Sequence, residues 1–363
     1  MDKKNILVIF GGVSPEHEIS KISADTVIKH LSEEKYHVIP VYITKEGKWL
    51  LYDGTIDHIK NIAWEKFGTP AILSPDRVNC GLLRIVGDKV RTIPVDVVLP
   101  VLHGENGEDG TIQGLCALAG IPCTGCGVLA SAITMDKTFM RVIANSAGIP
   151  QTKYMVFREH ELKDAPKTIR YQLGYPCFIK PANAGSSVGI TKAANKKEVV
   201  EALKIAASVD KKIIAERAVT GREIECGVLG AAGWSGGPGD TDIIVSVPGE
   251  IVSGSQFYDY DAKYNSPESQ TIVPAPIPPE VAEQIQQMAA NIFRAMDASG
   301  LARVDFFLTD DNQVIFNEIN SIPGFTSISL FPMVWEASGV PFADWLDILI
   351  DIALFSQAKR GKV

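Results

Sequence analysis

ARVDFFLTDDNQVIFNEINSIPGF, residues 302–325, reads as a strand, a tight polar turn and a second strand. The turn is Thr309-Asp310-Asp311-Asn312, with runs rich in Val, Ile and Phe on either side. A hairpin closed there sets Asp305 roughly opposite Glu318. Asn320, two residues further on, faces the same side of the sheet as Glu318. Acidic side chains on a hairpin are ordinarily just solvated, and Asp310 and Asp311 at the turn read that way. Asp305 and Glu318 lie inside apolar strands, where a lone carboxylate is costly unless it is paired or metal-bound. Three oxygen ligands with no His or Cys suit a hard cation such as Mg²⁺. A magnesium that keeps open positions ordinarily holds nucleotide phosphates, so the hairpin predicts an ATP-using enzyme.

Upstream, KPANAGSSVG (residues 180–189) puts a Lys, Gly and Ser residues directly after a predicted strand. Small residues let backbone N–H groups and hydroxyls close over phosphates, and the lysine adds a point charge. The order G-x-x-x-x-G-K-[ST] is absent, so this is not a P-loop, and in isolation such a loop reads equally as a plain hairpin turn. Lys137 ahead of it, Glu216 and Glu223 behind it and the Asp/Glu/Asn set downstream decide for phosphate binding.

The bulk properties leave this open and close other routes. A chain of 363 residues has room for two or three domains with substantial cores. With 46% hydrophobic and 21% charged residues it has the make-up of an ordinary soluble globular protein. A formal charge of −8, with no long Lys/Arg run, argues against nucleic acid as a partner. Cys80, Cys116, Cys177 and Cys226 lie in or beside apolar runs, as reduced buried thiols do. Cys123 and Cys126 form a C-x-x-C with no second pair and no nearby His, so packing is the expected role. The apolar run NILVIF (5–10) stops at Gly11-Gly12, too soon for a signal h-region or a membrane span, and a cytoplasmic enzyme is expected.

Read from the N-terminus, NILVIF, HVIPVYIT (37–44) and VDVVLPVLHG (95–104) are buried strands. Between the first two lies an amphipathic helix with Ile19, Ile22, Val27, Ile28 and Leu31 on its apolar face. This βαβ rhythm predicts an α/β fold with an open parallel sheet over residues 1–130, whose ligands bind at the loops after the strand ends. A second, α+β unit covers 131–222, and a third, carrying the acidic hairpin, covers 223–363. GAAGWSGGPGD (230–240) has the composition of a flexible surface loop. His17 reads as an exposed or structural histidine and Lys192 as a solvated strand-edge charge. GGVSPE is not G-x-G-x-x-G, which removes a nicotinamide-binding reading.

The whole arrangement resembles the ATP-grasp superfamily, in which two α+β units hold ATP between their sheets, and within it the D-alanine–D-alanine ligases. The resemblance rests on FGGVSPEHEIS (10–20), LHGENGEDGTIQG (102–114), MDK (135–137), KPANAGSSVG (180–189), GREIECGVLG (221–230), FYDYDAKY (257–264), ARVDFF (302–307) and NEINSIPGFTSISLFP (317–332), in the family's order. It implies roles. Lys137 and Lys180, with Ser187 in the loop between strands, look like the ATP-phosphate contacts. Glu216 and the backbone near Val219 look like the adenine contact, Glu223 like the ribose acceptor. Asp305, Glu318 and Asn320 look like the ligands of two Mg²⁺, which Mn²⁺ could replace. Glu16 resembles the carboxylate that receives the first D-alanine's ammonium, with Ser186 and Tyr264 as hydrogen-bonded partners. Lys263 and Tyr264 lie in the family's mobile lid. Arg303 and the Gly324 N–H look like oxyanion stabilisers, and His103, Ser329 and Leu330 like substrate-side residues. A homodimer, with no membrane partner, is implied as well.

The chemistry suits these residue types. Phosphorylation turns a carboxylate into an electrophilic acyl phosphate, a transfer that needs positioning and charge neutralisation. Attack by the second amino acid's amine then forms an oxyanion for Arg303 and a backbone N–H to stabilise. The retained AKY of the lid and Leu330, where D-serine-forming relatives tend to carry arginine, point to D-alanine as second substrate. The alternative is a vancomycin-resistance-type ligase making D-alanyl-D-serine or D-alanyl-D-lactate. A nucleotide-binding ATP-grasp protein without catalysis is opposed by the intact Arg303 and metal set. Ala218, where a bulky side chain is common, and the long loop 230–240 depart from the family pattern.

Overall fold

In the computed structural model, which describes residues 3–54, 64–252 and 270–360, strand β1 (Lys4–Gly11) is buried on both faces. Ile6, Val8 and Phe10 pack with Ala24, Val27 and Ile28 of the helix His17–His30, while Leu7 and Ile9 pack with Ile112, Cys116 and Ala119 of the helix Thr111–Ala119. A strand apolar on both faces belongs in the middle of a covered parallel sheet, and β1 lies parallel to both β2 (Tyr36–Ile43) and β7 (Val97–Val101). The sheet continues as β3 (Trp49–Leu51), β4 (Thr69–Leu73), β5 (Gly81–Val86) and β6 (Lys89–Pro94), in the order β6-β5-β4-β3-β2-β1-β7. This extension is antiparallel, and the connections β2–β3, β4–β5 and β5–β6 are too short for a crossover. One is the turn at Gly87, whose φ of 56° suits a tight hairpin.

The helix His17–His30 sits differently from its apolar pattern. Ile22 is exposed, and Ser20 and Ser23 are fully buried. Ser20 Oγ accepts from Gly11 N–H at 2.7 Å and donates to the Val101 carbonyl, tying the ends of β1 and β7 to the helix. Hydrogen bonding at the strand ends thus outweighs the burial of one isoleucine.

Strands β8 (Tyr154–Arg158), β9 (Cys177–Pro181), β10 (Thr191–Ala193) and β11 (Lys212–Arg217) form a second sheet, order β10-β9-β11-β8, entirely antiparallel. Its core faces the helices Ala165–Gln172 and Lys196–Val209. The third sheet runs β15 (Gln270–Ile272), β14 (Gly249–Val252), β12 (Arg222–Gly230), β16 (Gly300–Leu308), β17 (Val314–Asn320), with β13 (Ile243–Val245) paired to β12. Val281, Ile285, Ala289 and Phe293 of the helix Pro279–Ala295 cover it. The helix Phe342–Arg360 then returns to the first sheet, and Trp345, Leu346, Leu349 and Ala353 join the core of Ile6 and Phe10.

The loop 230–240 is not free at the surface as its composition suggests. Trp234 is 4% exposed, packs with Ile352, and donates its indole N–H to Asp351 Oδ2 at 2.9 Å. One aromatic anchor overrides the glycine-rich composition around it. All six cysteines are free. Cys116, Cys126, Cys177 and Cys226 are buried, and burial pushes the thiols of Cys126 and Cys226 up to about 12. Cys80 is exposed, against the expectation of a buried thiol. His17 is structural: Nδ1 lies 2.6 Å from the Gly12 carbonyl and Nε2 3.0 Å from Tyr42 Oη. Among the described residues no helix is long and apolar enough to cross a membrane.

Candidate active site

The acidic hairpin closes in the predicted register, Asp305 opposite Glu318 and Arg303 opposite Asn320. The register shifts between Asp305 and Phe306, which pairs with Phe316, so Asn317 is left unopposed. That bulge matters. Residues two apart on a regular strand share a face, yet Phe316 is fully buried in the core against Phe306 while Glu318 borders a cleft. The extra residue re-aims the side chains beyond it, as bulges beside functional sites do.

Arg303 forks onto Asp305, Nε to Oδ1 at 2.8 Å and Nη2 to Oδ2 at 2.7 Å, and Nε also lies 3.0 Å from Glu225 Oε2. Burial would lower the guanidinium pKa, but Asp305 and Glu225 hold it well above its usual value. Asn320 Nδ2 donates to Asp305 Oδ2 at 2.9 Å, which leaves its amide oxygen as the atom able to bind a cation. No cluster of three or more His, Cys, Asp and Glu suited to a metal occurs among the described residues. Two carboxylates and an amide oxygen on one face fit a hard, oxygen-seeking cation whose remaining positions come from outside the protein. Glu225, opposite Asp305 on β12, and Arg303 complete the charge balance.

Across the cleft, the loop after β9 holds Ser186 and Ser187 at φ 47° and 58°. Left-handed non-glycine residues cost on the order of 1–3 kcal/mol each and mark constrained sites. Here they close a tight turn in which the Val188 and Ile190 N–H groups donate to the Gly185 and Ser187 carbonyls at 3.1 and 3.2 Å. Lys137 Nζ donates to the Ala184 carbonyl at 2.7 Å, and Lys180 Nζ lies 2.6 Å from Glu216 Oε2. Arg141 grips the other oxygen of Glu216. Burial would raise the Glu216 pKa, but Arg141 and Lys180 outweigh it and hold the carboxyl at about 2. Sequence reasoning passed over Arg141, although its i,i+4 spacing from Lys137 puts both on one helix face.

At the other end Glu16 N-caps the helix His17–His30 and accepts a hydrogen bond from the Ser186 hydroxyl. Gly104, at φ +69°, gives Glu16 its room, since a Cβ there would collide with Oε2. His103 Nε2 lies 3.3 Å from Ser23 Oγ and Nδ1 3.3 Å from the Ile322 carbonyl. Glu108 lies in the same loop, LHGENGEDGTIQG. Its Oε2 accepts from Gly104 N–H at 2.8 Å and its Oε1 from Ile322 N–H at 3.2 Å, bridging the first and third sheets' loops. Burial and the neighbouring Glu16 push its carboxyl up to about 8.

Glu16, His103, Lys137, Ser186, Asn320 and Gly324 border one cavity. Lys180, Glu216, Val219, Glu223 and Asp305 border a second, of about 340 Å³. Ser187, Arg303 and Glu318 belong to both. Ser329 stands beside Gly324, at the N-cap of the helix Leu330–Ala337, with Oγ 2.8 Å from Thr326 Oγ1. Leu330 is 5% exposed and its side chain packs in the core. Its backbone N–H, in the first helical turn, is what remains to serve a ligand. Lys263 and Tyr264 lie outside the described residues.

Residues 5–126 match the family described as D-ala D-ala ligase N-terminus, and residues 143–351 the one described as D-ala D-ala ligase C-terminus. The chain is 46% identical to a D-alanine–D-alanine ligase of Caldicellulosiruptor bescii over 100% of this chain and 98% of that one. It is 47% identical to that of Acetivibrio thermocellus over 97% and 96%. Among solved structures it superposes on the VanG D-Ala:D-Ser ligase of Enterococcus faecalis with a TM-score of 0.87 at 41% identity, covering 97% of this chain and 100% of that one. With the D-alanine–D-alanine ligase of Coxiella burnetii the TM-score is 0.85 at 31% identity, covering 100% and 97%. A Ser-rich loop on one antiparallel sheet, facing an acidic hairpin on the next, defines the ATP-grasp class of ligases. Within that class the chain belongs to the D-alanine–D-alanine ligase family.

Proposed function

We propose that the chain uses ATP to join two D-alanines into D-alanyl-D-alanine, through a D-alanyl phosphate, for peptidoglycan precursors. The observation that carries this reading is the junction of the two cavities at Ser187, Arg303 and Glu318. A nucleotide laid along Glu216, Val219 and Glu223 would bring its terminal phosphate to that junction, where the cavity bordered by Glu16 and Ser186 begins. The residues present fit Mg²⁺ held by Asp305, Glu318 and Asn320, which when bound neutralises phosphate charge. Lys137 and Lys180 orient the phosphates under the Ser186-Ser187 loop. Glu16 takes the ammonium of the first amino acid and aims its carboxylate at the junction. Arg303, held rigid by Asp305 and Glu225, and the Gly324 N–H then face the oxyanion formed when the second amine attacks. Donors fixed in advance need no reorganisation at that moment.

The division of labour follows the three units, 1–130 for the first amino acid, 131–222 and 223–363 for the nucleotide. Cytoplasmic location and a homodimer belong to the same reading, the latter testable by light scattering. Phosphate release with ATP and D-alanine, followed by mass spectrometry of dipeptides formed from equal D-alanine and D-serine, tests the proposal. D-Alanyl-D-alanine should dominate. Predominant D-alanyl-D-serine would transfer the chain to the activity named for its VanG neighbour, and no phosphate release would defeat both.

A further inference from the structure

Arg141 has no place in the scheme above, yet it is 1% exposed and among the largest fully buried side chains. Its Nε and Nη2 lie 2.8 and 2.7 Å from Glu216 Oε1. Nη1 donates to the Phe316 carbonyl at 3.0 Å, and the guanidinium lies over the Phe316 ring, 5.6 Å from its centre. Gln151 Nε2 donates to the Arg141 carbonyl at 2.8 Å, fixing the backbone from which the side chain starts. One guanidinium therefore ties the helix Lys137–Ser146, strand β11 and strand β17, on both sides of the nucleotide cavity. Arg141 does not itself border that cavity; Glu216 does.

A buried guanidinium is retained only where its partners are strong and its geometry is fixed. Here the partner is a carboxylate with one oxygen fully engaged and the other turned to Lys180 and the cavity. A carboxylate locked in this way is an acceptor only. A nucleobase edge that meets it must bring a donor. A purine 6-amino group does so, whereas a 6-oxo group would set two acceptors against each other.

We propose that Arg141 is the positioning residue for base selection: it grips Oε1 of Glu216, tethers it to β17, and so presents Oε2 to a purine 6-amino group while turning away a 6-oxo group. This rests on the reading of Glu216 as the adenine contact. The ionised state that the arrangement requires agrees with the strongly lowered carboxyl pKa of Glu216.

The test compares wild type with Arg141→Met, Arg141→Lys and Glu216→Gln in the full chain, reading kcat and KM for ATP, GTP and D-alanine. For Arg141→Met the ratio of kcat/KM for ATP over GTP should fall at least about ten-fold, the size of effect expected when a charge-assisted hydrogen bond loses its fixed geometry. The KM for ATP should rise while that for D-alanine stays within about two-fold, a split that general loosening of the fold would not give. Arg141→Lys keeps the charge but not the fork, and should lie between the two; it also serves if Arg141→Met does not fold. A shifted ratio in Glu216→Gln with unchanged ratios in both Arg141 variants would overturn the role of Arg141 and leave the Glu216 reading standing. An unchanged ratio in Glu216→Gln would overturn both.

Discussion

Glu108 shows how much one side chain can couple. It joins the Gly104 and Ile322 amides beside Glu16, and burial together with that neighbour lifts its carboxyl from 4.5 to about 8. A group whose pKa is raised on folding contributes stability that is full below its unfolded value and is lost as pH rises through the folded one. The enzyme should therefore lose stability progressively from near pH 4.5 to about pH 8 on this account. Glu108→Gln, which cannot ionise, should lack that part of the slope in denaturation midpoints taken across the range; parallel curves would refute the assignment. Glu318→Gln tests the other end of the site. It keeps shape and removes a charge, so folding should survive while turnover falls on the order of 10²-fold or more. Near-normal turnover at saturating Mg²⁺ would remove Glu318 from the cation site.

At the scale of elements, the hairpin β16–β17 was legible in the sequence and its bulge was not. Period-two alternation and a polar turn give the Asp305–Glu318 register directly. Asn317 carries no mark of a bulge, because the extra residue is chosen by the conflict between burying Phe316 and exposing Glu318. Deleting Asn317 should restore regular pairing, with Phe316 still opposite Phe306 and Glu318 still opposite Asp305, and remove the local bend that the bulge gives β17. The expected outcome is a fold that survives and ligase activity lowered about ten-fold or more, since a carboxylate re-aimed by the lost bend no longer meets its partners in the same geometry. A variant of wild-type activity would show that the bulge has no such role. The helix His17–His30 fails to match its pattern for a similar reason. Hydrophobic spacing chose Ile22, while the strand ends required the hydroxyl of Ser20 and the His103 ring that of Ser23. Leu330 shows a further limit: an apolar residue after Ser329 gave no sign that its side chain would pack in the core. The place of KPANAGSSVG, a loop between β9 and β10, was legible because its run of small residues and glycines interrupts the strand pattern.

At the scale of the molecule, Trp345 binds the ends of the chain together. It packs in a cluster with Phe325, Phe331 and Phe342, at centroid distances of 5.4, 5.7 and 4.5 Å, in the core that also holds Ile6 and Phe10. Phe325 follows Gly324, so the same cluster backs the segment proposed to face the oxyanion. Trp345→Ala should destabilise by about 3–5 kcal/mol in chemical denaturation. It should also lower kcat through the slackened Gly324 segment; a stability loss under about 1 kcal/mol would show that the cluster is not the keystone described. The three sheets as such were foreseeable from strand rhythm, but this closure was not, because nothing local in residues 342–360 names the distant face they cover.

That closure also fixes an order of events during synthesis. One face of the first sheet is covered by a helix encoded more than three hundred residues later. At roughly 5–20 residues per second of translation, the nascent first unit waits tens of seconds with Ile6, Val8 and Phe10 incompletely covered. Its core is therefore completed only after residues 342–360 have been made, and during that wait the growing chain presents the kind of apolar surface that chaperones bind.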